Sequence, residues 1–188
     1  KGHKVFGVVN KTLTPSKIKR LKQKRVKIIK LNLNNETIIK NFLKKNKINC
    51  CIHAAAVSHE IYAKKDPLNN LNVNSLAVLN MIKAISDLNK KIKFINISTG
   101  SVFQVIKNNN KIFEDAVPSP KSLYSGSKRM GEIVVSNANS NLKMNCCSVR
   151  ISWVYGPPIV TKSLNIQRGP IPIILYKFLK NPKRMFNL

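Results

Sequence analysis

Five short apolar runs rich in β-branched residues, separated by longer amphipathic stretches, limit what this chain can fold into. The runs are Val5 to Val9, Val26 to Leu31, Ile48 to Ala55, Ile92 to Ile97 and Met144 to Ile151. Each has the length and residue types of a buried strand. Helical patterning fills the intervals: Lys17 to Gln23, Asn35 to Lys45, Leu71 to Leu88 and Tyr124 to Ala138. In the third of these, Leu76, Leu79, Ile82 and Ile85 recur at helical spacing. Strand alternating with helix predicts an α/β fold, a doubly wound parallel sheet covered on both faces. The final stretch, Pro157 to Leu188, breaks the rhythm with five prolines and reads as the start of a second, smaller lobe.

Sheets of this kind bind ligands beyond the carboxyl ends of their strands. That rule selects Asn10, Asn32, the run Ala54, Ala55 and Ala56, the pair Ser98 and Thr99, and the pair Ser152 and Trp153. Tyr124 and Lys128 stand four residues apart on a predicted helix, so both project from one face. A phenol titrates too high to act as a base near neutrality, and a neighbouring ammonium favours the phenolate. Such a pair can take a proton from a substrate hydroxyl, or return it, while a hydride moves to or from a cofactor. Its bland alternative is a helix-surface pair, common by chance in a lysine-rich chain. Thr99, at the end of a predicted strand, offers a hydroxyl to the same substrate oxygen; alternatively it is an ordinary turn residue.

Thirty-four Lys and Arg against seven acids give a formal net charge of +27. A basic face for nucleic acid or an anionic surface is one reading. The other is compositional drift, because Lys, Asn and Ile share A/T-rich codons and the chain is crowded with all three. Cations occur in every segment, although Lys17 to Lys30 holds eight with no acid among them. One contiguous positive face spanning Lys17 to Lys30 would favour binding and an even scatter would favour drift; nucleic acid is not the expected partner. Hydrophobic residues make up 43% of the chain, as in a globular domain. The densest apolar stretch, Ile171 to Leu179, is interrupted by Pro172 and Lys177 and is too short to span a bilayer. The cysteines form two adjacent pairs, Cys50-Cys51 and Cys146-Cys147. Neighbours on a strand point to opposite faces, so no metal site is expected, and reduced thiols in a cytoplasmic protein are the simplest account.

Five segments together carry a resemblance. They are HAAAVS (His53 to Ser58), DPLNNLNVNSLAVLNMIKA (Asp66 to Ala84), NISTGSVF (Asn96 to Phe103), EDAVPSPKSLYSGSKRMGE (Glu114 to Glu132) and VRISWVYGPP (Val149 to Pro158). In order and spacing the chain resembles an extended short-chain dehydrogenase/reductase of the sugar-nucleotide epimerase and dehydratase branch. The resemblance implies a Rossmann domain over residues 1–156, with residues 157–188 beginning a substrate lobe. It places the first strand and its glycine-rich turn ahead of Lys1, so the chain is expected to be a fragment and the activity to belong to the longer protein.

Carried over position by position, the resemblance makes Tyr124 the catalytic acid/base. Lys128 would hold the nicotinamide ribose and tune Tyr124, and Thr99 would be the hydroxyl partner. Ala54, Ala55 and Ala56 would line NAD or NADP, with Asn10, Lys11, Asn32, Leu33, Ser98 and Ser152 also on the cofactor side. Asn74 would support the site from its helix. Ser58, Ser101 and Trp153 would face a nucleotide-sugar substrate, and Arg168 its phosphates. Asn10 followed by Lys11, without an acid for the ribose, tolerates a 2′-phosphate and leaves NADP open. Dehydratases of the family carry an acid directly after the threonine; here Gly100 and Ser101 follow, which disfavours dehydration. The segment SWVYG and the Ser-Thr-x-x-Val-Phe pattern resemble sugar-nucleotide reductases. Epimerase stands first and reductase second, and a homodimer is expected of the full-length protein.

Overall fold

The computed structural model describes residues 2–10, 15–88, 91–103, 111–152 and 154. The chain divides into two compact units, one of Phe6–Thr12 and Ile28–Ser152, the other of Lys1–Val5, Leu13–Lys27 and Trp153–Leu188. The described helix of the second unit is α1 (Pro15–Gln23), opened by a proline, whose missing N–H costs no bond at a helix start. Residues 157–188, expected to begin a substrate lobe, lie outside the described residues.

β1 (Val5–Val9) and β2 (Val26–Lys30) form a two-stranded sheet. β3 (Cys50–His53), β4 (Lys93–Thr99) and β5 (Cys146–Ile151) form a parallel sheet in the order β3-β4-β5. Register places His53 beside Asn96, and Thr99 beside Ile151. The carboxyl ends of β4 and β5 therefore finish level, with that of β3 a few residues short. The predicted Rossmann-like α/β fold is present, although its strands fall into two ladders instead of one, and among the described residues no ladder joins them. Ile52, in the middle of β3, is 64% exposed despite being apolar.

The helices follow from local chemistry. Asn35 caps α2 (Glu36–Lys45): its side chain accepts from Ile38 N at 3.0 Å, relieving an amide that has no partner within the helix. The stretch before α5 is more broken than its periodicity predicts. His59 caps a short α3 (Glu60–Lys65). Pro67 then forces the preceding Asp66 out of helical geometry and opens α4 (Pro67–Leu71), with Asp66 accepting from Asn69 N at 3.0 Å. A π-helical turn, Asn72–Leu76, leads into α5 (Ala77–Leu88). Ala77, Val78, Met81, Ile82, Ala84 and Ile85 are buried, whereas Leu76 and Leu79, expected on the core stripe, are exposed. α6 (Leu123–Ser140) is the longest helix described.

One core serves the larger unit, running from Ile39 and Leu43 of α2 through Val78, Ile82 and Ile85 of α5 to Phe94 and Val135. Each such side chain contributes about 1.5–3 kcal/mol on burial. The charge excess has a legible distribution. Exposed lysines occur in both units, for example Lys22 on α1, Lys44 on α2, Lys64 on α3, Lys83 on α5 and Lys93 on β4. Left-handed φ at helix ends, where glycine is usual, falls on Arg25, Lys47 and Lys143. Five of the seven acids have structural posts. Glu36 and Asp87 pair with Lys83 and Lys40 across α2 and α5, Asp66 caps α4, and Glu60 and Glu132 serve α6.

Candidate active site

The site is built where α6 crosses the end of β4. Thr99 is the last residue of β4 and only 8% exposed; its Oγ1 accepts from Ser101 N at 3.2 Å, starting a 3₁₀ turn over Gly100–Val102. A Cβ at Gly100 would rest 3.8 Å from Ile151 O, an ordinary contact, so sterics do not demand glycine there. α6 packs on both β4 and this turn. Ser122 opens α6 with a capping box, its Oγ accepting from Ser125 N while Ser125 Oγ accepts from Ser122 N, each at 3.1 Å. Tyr124 is half-buried in the first turn. Lys128, one turn further, is 2% exposed, and its Nζ donates to the carbonyl of Ile97, two residues before Thr99.

Glu132 extends the same face by another turn. It is 3% exposed and accepts four hydrogen bonds, from Ser98 Oγ at 2.6 Å, Arg150 Nε at 2.9 Å, Arg150 Nη2 at 3.0 Å and Arg129 Nη1 at 2.9 Å. One carboxylate thus links α6 to β4 and β5. The Arg150 guanidinium also lies 4.8 Å from the centre of the Phe103 ring. Burial pushes the Glu132 carboxyl up, but the bonds from Arg150, Ser98 and Arg129 outweigh it and leave the group below its ordinary value. Burial pulls Lys128 down to about 8, against the charge of Glu132. His53, buried at the end of β3 with Nε2 3.3 Å from Val73 O, is pulled down to about 4 by burial and by the charge of Lys128.

Behind α6 lies a polar cluster built on the π-helical turn. Asn74 Nδ2 donates to Ser127 Oγ at 3.0 Å, to Asn70 Oδ1 at 2.9 Å and to Val57 O at 3.1 Å, while Asn74 Oδ1 accepts from Val57 N at 2.9 Å. Ser127 Oγ donates to Tyr124 O at 2.7 Å, and Ser75 Oγ donates to Ser127 O at 2.8 Å. Asn74 therefore joins the segment after β3 to the helix bearing Tyr124. The close approach depends on Gly131, where a Cβ would stand 2.9 Å from Asn74 O.

Of the residues singled out in the sequence, Thr99 ends β4, Asn74 lies in the π-helical turn, and Tyr124 and Lys128 lie on α6; Lys128 reaches β4 at Ile97 O, and Asn74 reaches α6 at Ser127. Ala54, Ala55, Ala56 and Ser58 are exposed in the segment leaving β3, Ser101 in the 3₁₀ turn, and Ser152 just after β5. Asn10 and Asn32 are exposed after β1 and β2, Asn32 Oδ1 accepting from Asn34 N at 3.0 Å. Leu33 and Ser98 turn inward instead. Leu33 packs on the core and Ser98 is held by Glu132, so what either offers a ligand is backbone. Lys11, Trp153 and Arg168 lie outside the described residues. Sequence reasoning missed Glu132, Arg150, Glu60, Asn70 and Ser127. Only Glu132 had a signal, its four-residue spacing from Lys128.

A cavity of about 600 Å³ along β5, lined by Glu114, Arg129, Glu132, Asn139 and Cys147 among others, contains neither Thr99 nor Tyr124. Among the described residues no group of three metal-ligating side chains occurs and no helix is long and apolar enough to cross a membrane. The four cysteines are free thiols, and burial pushes Cys51 up to about 12.

A family model described as the NAD dependent epimerase/dehydratase family matches residues 1–186. The chain is 28% identical over 161 residues to a dTDP-D-glucose 4,6-dehydratase of Dictyostelium discoideum, covering 78% of this chain and 37% of that protein. It is 24% identical over 137 residues to UDP-glucuronate 4-epimerase 6 of Arabidopsis thaliana, covering 73% and 30%. Among solved structures, a UDP-glucuronic acid 4-epimerase from Bacillus cereus in complex with NAD superposes with a TM-score of 0.70 at 26% identity, over 83% of this chain and 50% of that one. The chain thus spans about a third of the length of these two curated relatives.

Proposed function

The chain belongs to the NAD dependent epimerase/dehydratase family, and we propose that the full-length protein is an NAD(P)-dependent sugar-nucleotide epimerase. One observation supports the reading: Lys128, one helical turn from Tyr124 along α6, bonds to the carbonyl of Ile97, two residues before Thr99, on a helix that packs on β4 and on the turn after it. In this reading Thr99 Oγ1 and Tyr124 Oη bind the same sugar hydroxyl. Tyr124 takes its proton and later returns it, so no net proton is consumed. Lys128 places positive charge along the same face and would hold the cofactor ribose, its Nζ resting on the Ile97 carbonyl here. Glu132 and Asn74 hold the helix in place from two sides.

The residues present suit the nicotinamide cofactor. Ala54, Ala55 and Ala56 are exposed at the carboxyl end of β3 with nothing beyond Cβ to obstruct a flat ring, and Asn10 and Asn32 are exposed where a nucleoside edge would need polar partners. When bound, NAD or NADP supplies a hydride acceptor that can give the hydride back. Residues Ser58 and Ser101, both exposed, are assigned to the nucleotide sugar, with Trp153 and Arg168. Exposed Leu79 on α5 and Met130 and Ile133 on α6, two helices packed together, support pairing with a second copy.

Reduction of a keto sugar by NADPH is the second reading. A GDP-6-deoxy-D-mannose reductase of Pseudomonas aeruginosa is 33% identical over 82 residues, covering 43% of this chain and 27% of that protein. Dehydration is disfavoured because Gly100 leaves no acid beside Thr99 although a side chain would fit. Incubating the full-length protein with NAD and nucleotide sugars deuterated at the inverted carbon tests the choice. Inversion with deuterium retained and no net change in NADH is expected. Stoichiometric consumption of NADPH with a keto sugar would instead establish the reductase.

A further inference from the structure

We propose that Glu60 is a positioning residue, its carboxylate reaching from α3 to fix the first turn of α6, and with it the backbone of Tyr124, against the segment that leaves β3. The inference rests on the reading of Tyr124 given above.

The first amides of a helix have no acceptor within it and need one from outside. α6 carries no acid in its first turn, and Ser122 already spends its side chain on Ser125. Glu60 supplies what is missing from 63 residues upstream: Oε2 accepts from Tyr124 N at 2.9 Å and Oε1 faces Leu123 N at 3.4 Å. Lys64, one turn along α3, stands 3.7 Å from Oε1 and holds the carboxylate on its other side. The bond from Tyr124 N, helped by Ser122, Leu123 and Lys64, keeps the carboxyl below its ordinary value, so the acceptor is ionised at neutral pH. A negative charge at the positive end of a helix is favourable in itself.

What makes this more than a cap is where Glu60 sits. Residues 54–56 are the exposed alanines at the end of β3, and Val57 is gripped at both N and O by Asn74. Glu60 follows three residues later. The segment is therefore tied to α6 at two levels, through Asn74 to Ser127 and through Glu60 to Tyr124. A shift of that segment on ligand binding must pull on the backbone of Tyr124. The Glu60 side chain is 28% exposed, so its removal opens no core cavity and leaves the Ser122 capping box intact.

Two readouts on the full-length protein test the proposal. The first is hydrogen exchange resolved to the Leu123 and Tyr124 amides. Glu60→Ala should speed exchange of the Tyr124 amide about tenfold or more, Glu60→Gln should retain most of the protection, and amides in the middle of α6 should not change. Unchanged exchange at Tyr124 overturns the proposal. The second is turnover. Glu60→Ala should lower kcat about tenfold with the cofactor Kd unchanged, and Glu60→Gln should recover most of it. A wild-type kcat for Glu60→Ala, in a protein that Tyr124→Phe inactivates, overturns the positioning role while leaving the function standing. Normal turnover by Tyr124→Phe removes the functional reading, and the positioning role with it.

Discussion

Removing the carboxylate of Glu132 should be the most damaging single change in the fold. Glu132→Ala deletes the acceptor of four hydrogen bonds, three of them from guanidinium groups, at a residue 3% exposed. Breaking a buried ion pair by removing one partner costs about 3–5 kcal/mol, because the other charge is left unpaired. Here Arg150 and Arg129 keep 25% and 32% side-chain exposure, so water partly replaces the lost partner and the lower end, about 3 kcal/mol, applies. That is a large share of the roughly 5–15 kcal/mol that holds a domain together. Urea denaturation followed by circular dichroism would read it as a lower midpoint at unchanged slope. Adding Arg150→Met to Glu132→Ala should recover part of the loss, since it removes the stranded charge. The contribution also has a pH signature. Glu132 is depressed in the fold, so its stabilisation is present above the ordinary glutamate value of 4.5 and is lost as pH falls through the folded value. A Glu132→Ala variant within about 1 kcal/mol of the parent, or a double variant no better than the single, would refute the reasoning.

Three further outcomes follow from the same geometry. Lys128→Met should raise stability by about 1–2 kcal/mol near neutral pH, because it removes a buried cation whose value is pulled down to about 8, while abolishing turnover in the full-length protein; lower stability would contradict this. His53, pulled down to about 4, stays neutral in the fold while the unfolded chain protonates, so stability should fall as pH drops from about 6.5 towards 4, and His53→Gln should flatten that part of the profile in a urea titration. Gly131→Ala should cost about 1–3 kcal/mol, since the new methyl meets the Asn74 carbonyl at 2.9 Å; an unchanged denaturation midpoint would show that α6 can yield there.

Much of this was legible in the sequence because periodicity reports burial directly. The five strands and the helices α2 and α6 fall within a few residues of their expected places. Where the reading departed from the structure, a local event overrode periodicity. Asp66-Pro67 broke what precedes α5 into short pieces, and Leu76 and Leu79 face outward. α3 went unseen because His59, an unusual cap, starts it. Tyr124 and Lys128 stand out by their spacing on one helix and Thr99 by its place after a strand, whereas Asn74 enters only through the family resemblance. Their supports were not legible. Glu60 meets Tyr124 from 64 residues away, and Arg150 meets Glu132 across a strand and a helix. Such long-range bonds leave no periodic trace.

Under the proposed function, Tyr124 handles the proton at the end of β4. The direct measurement is the kcat of Tyr124→Phe in the full-length protein, taken beside calorimetric titration of NAD. A loss of about a hundredfold or more in kcat with little change in the cofactor Kd is expected. A near-normal kcat, or cofactor binding lost in step with turnover, would contradict it.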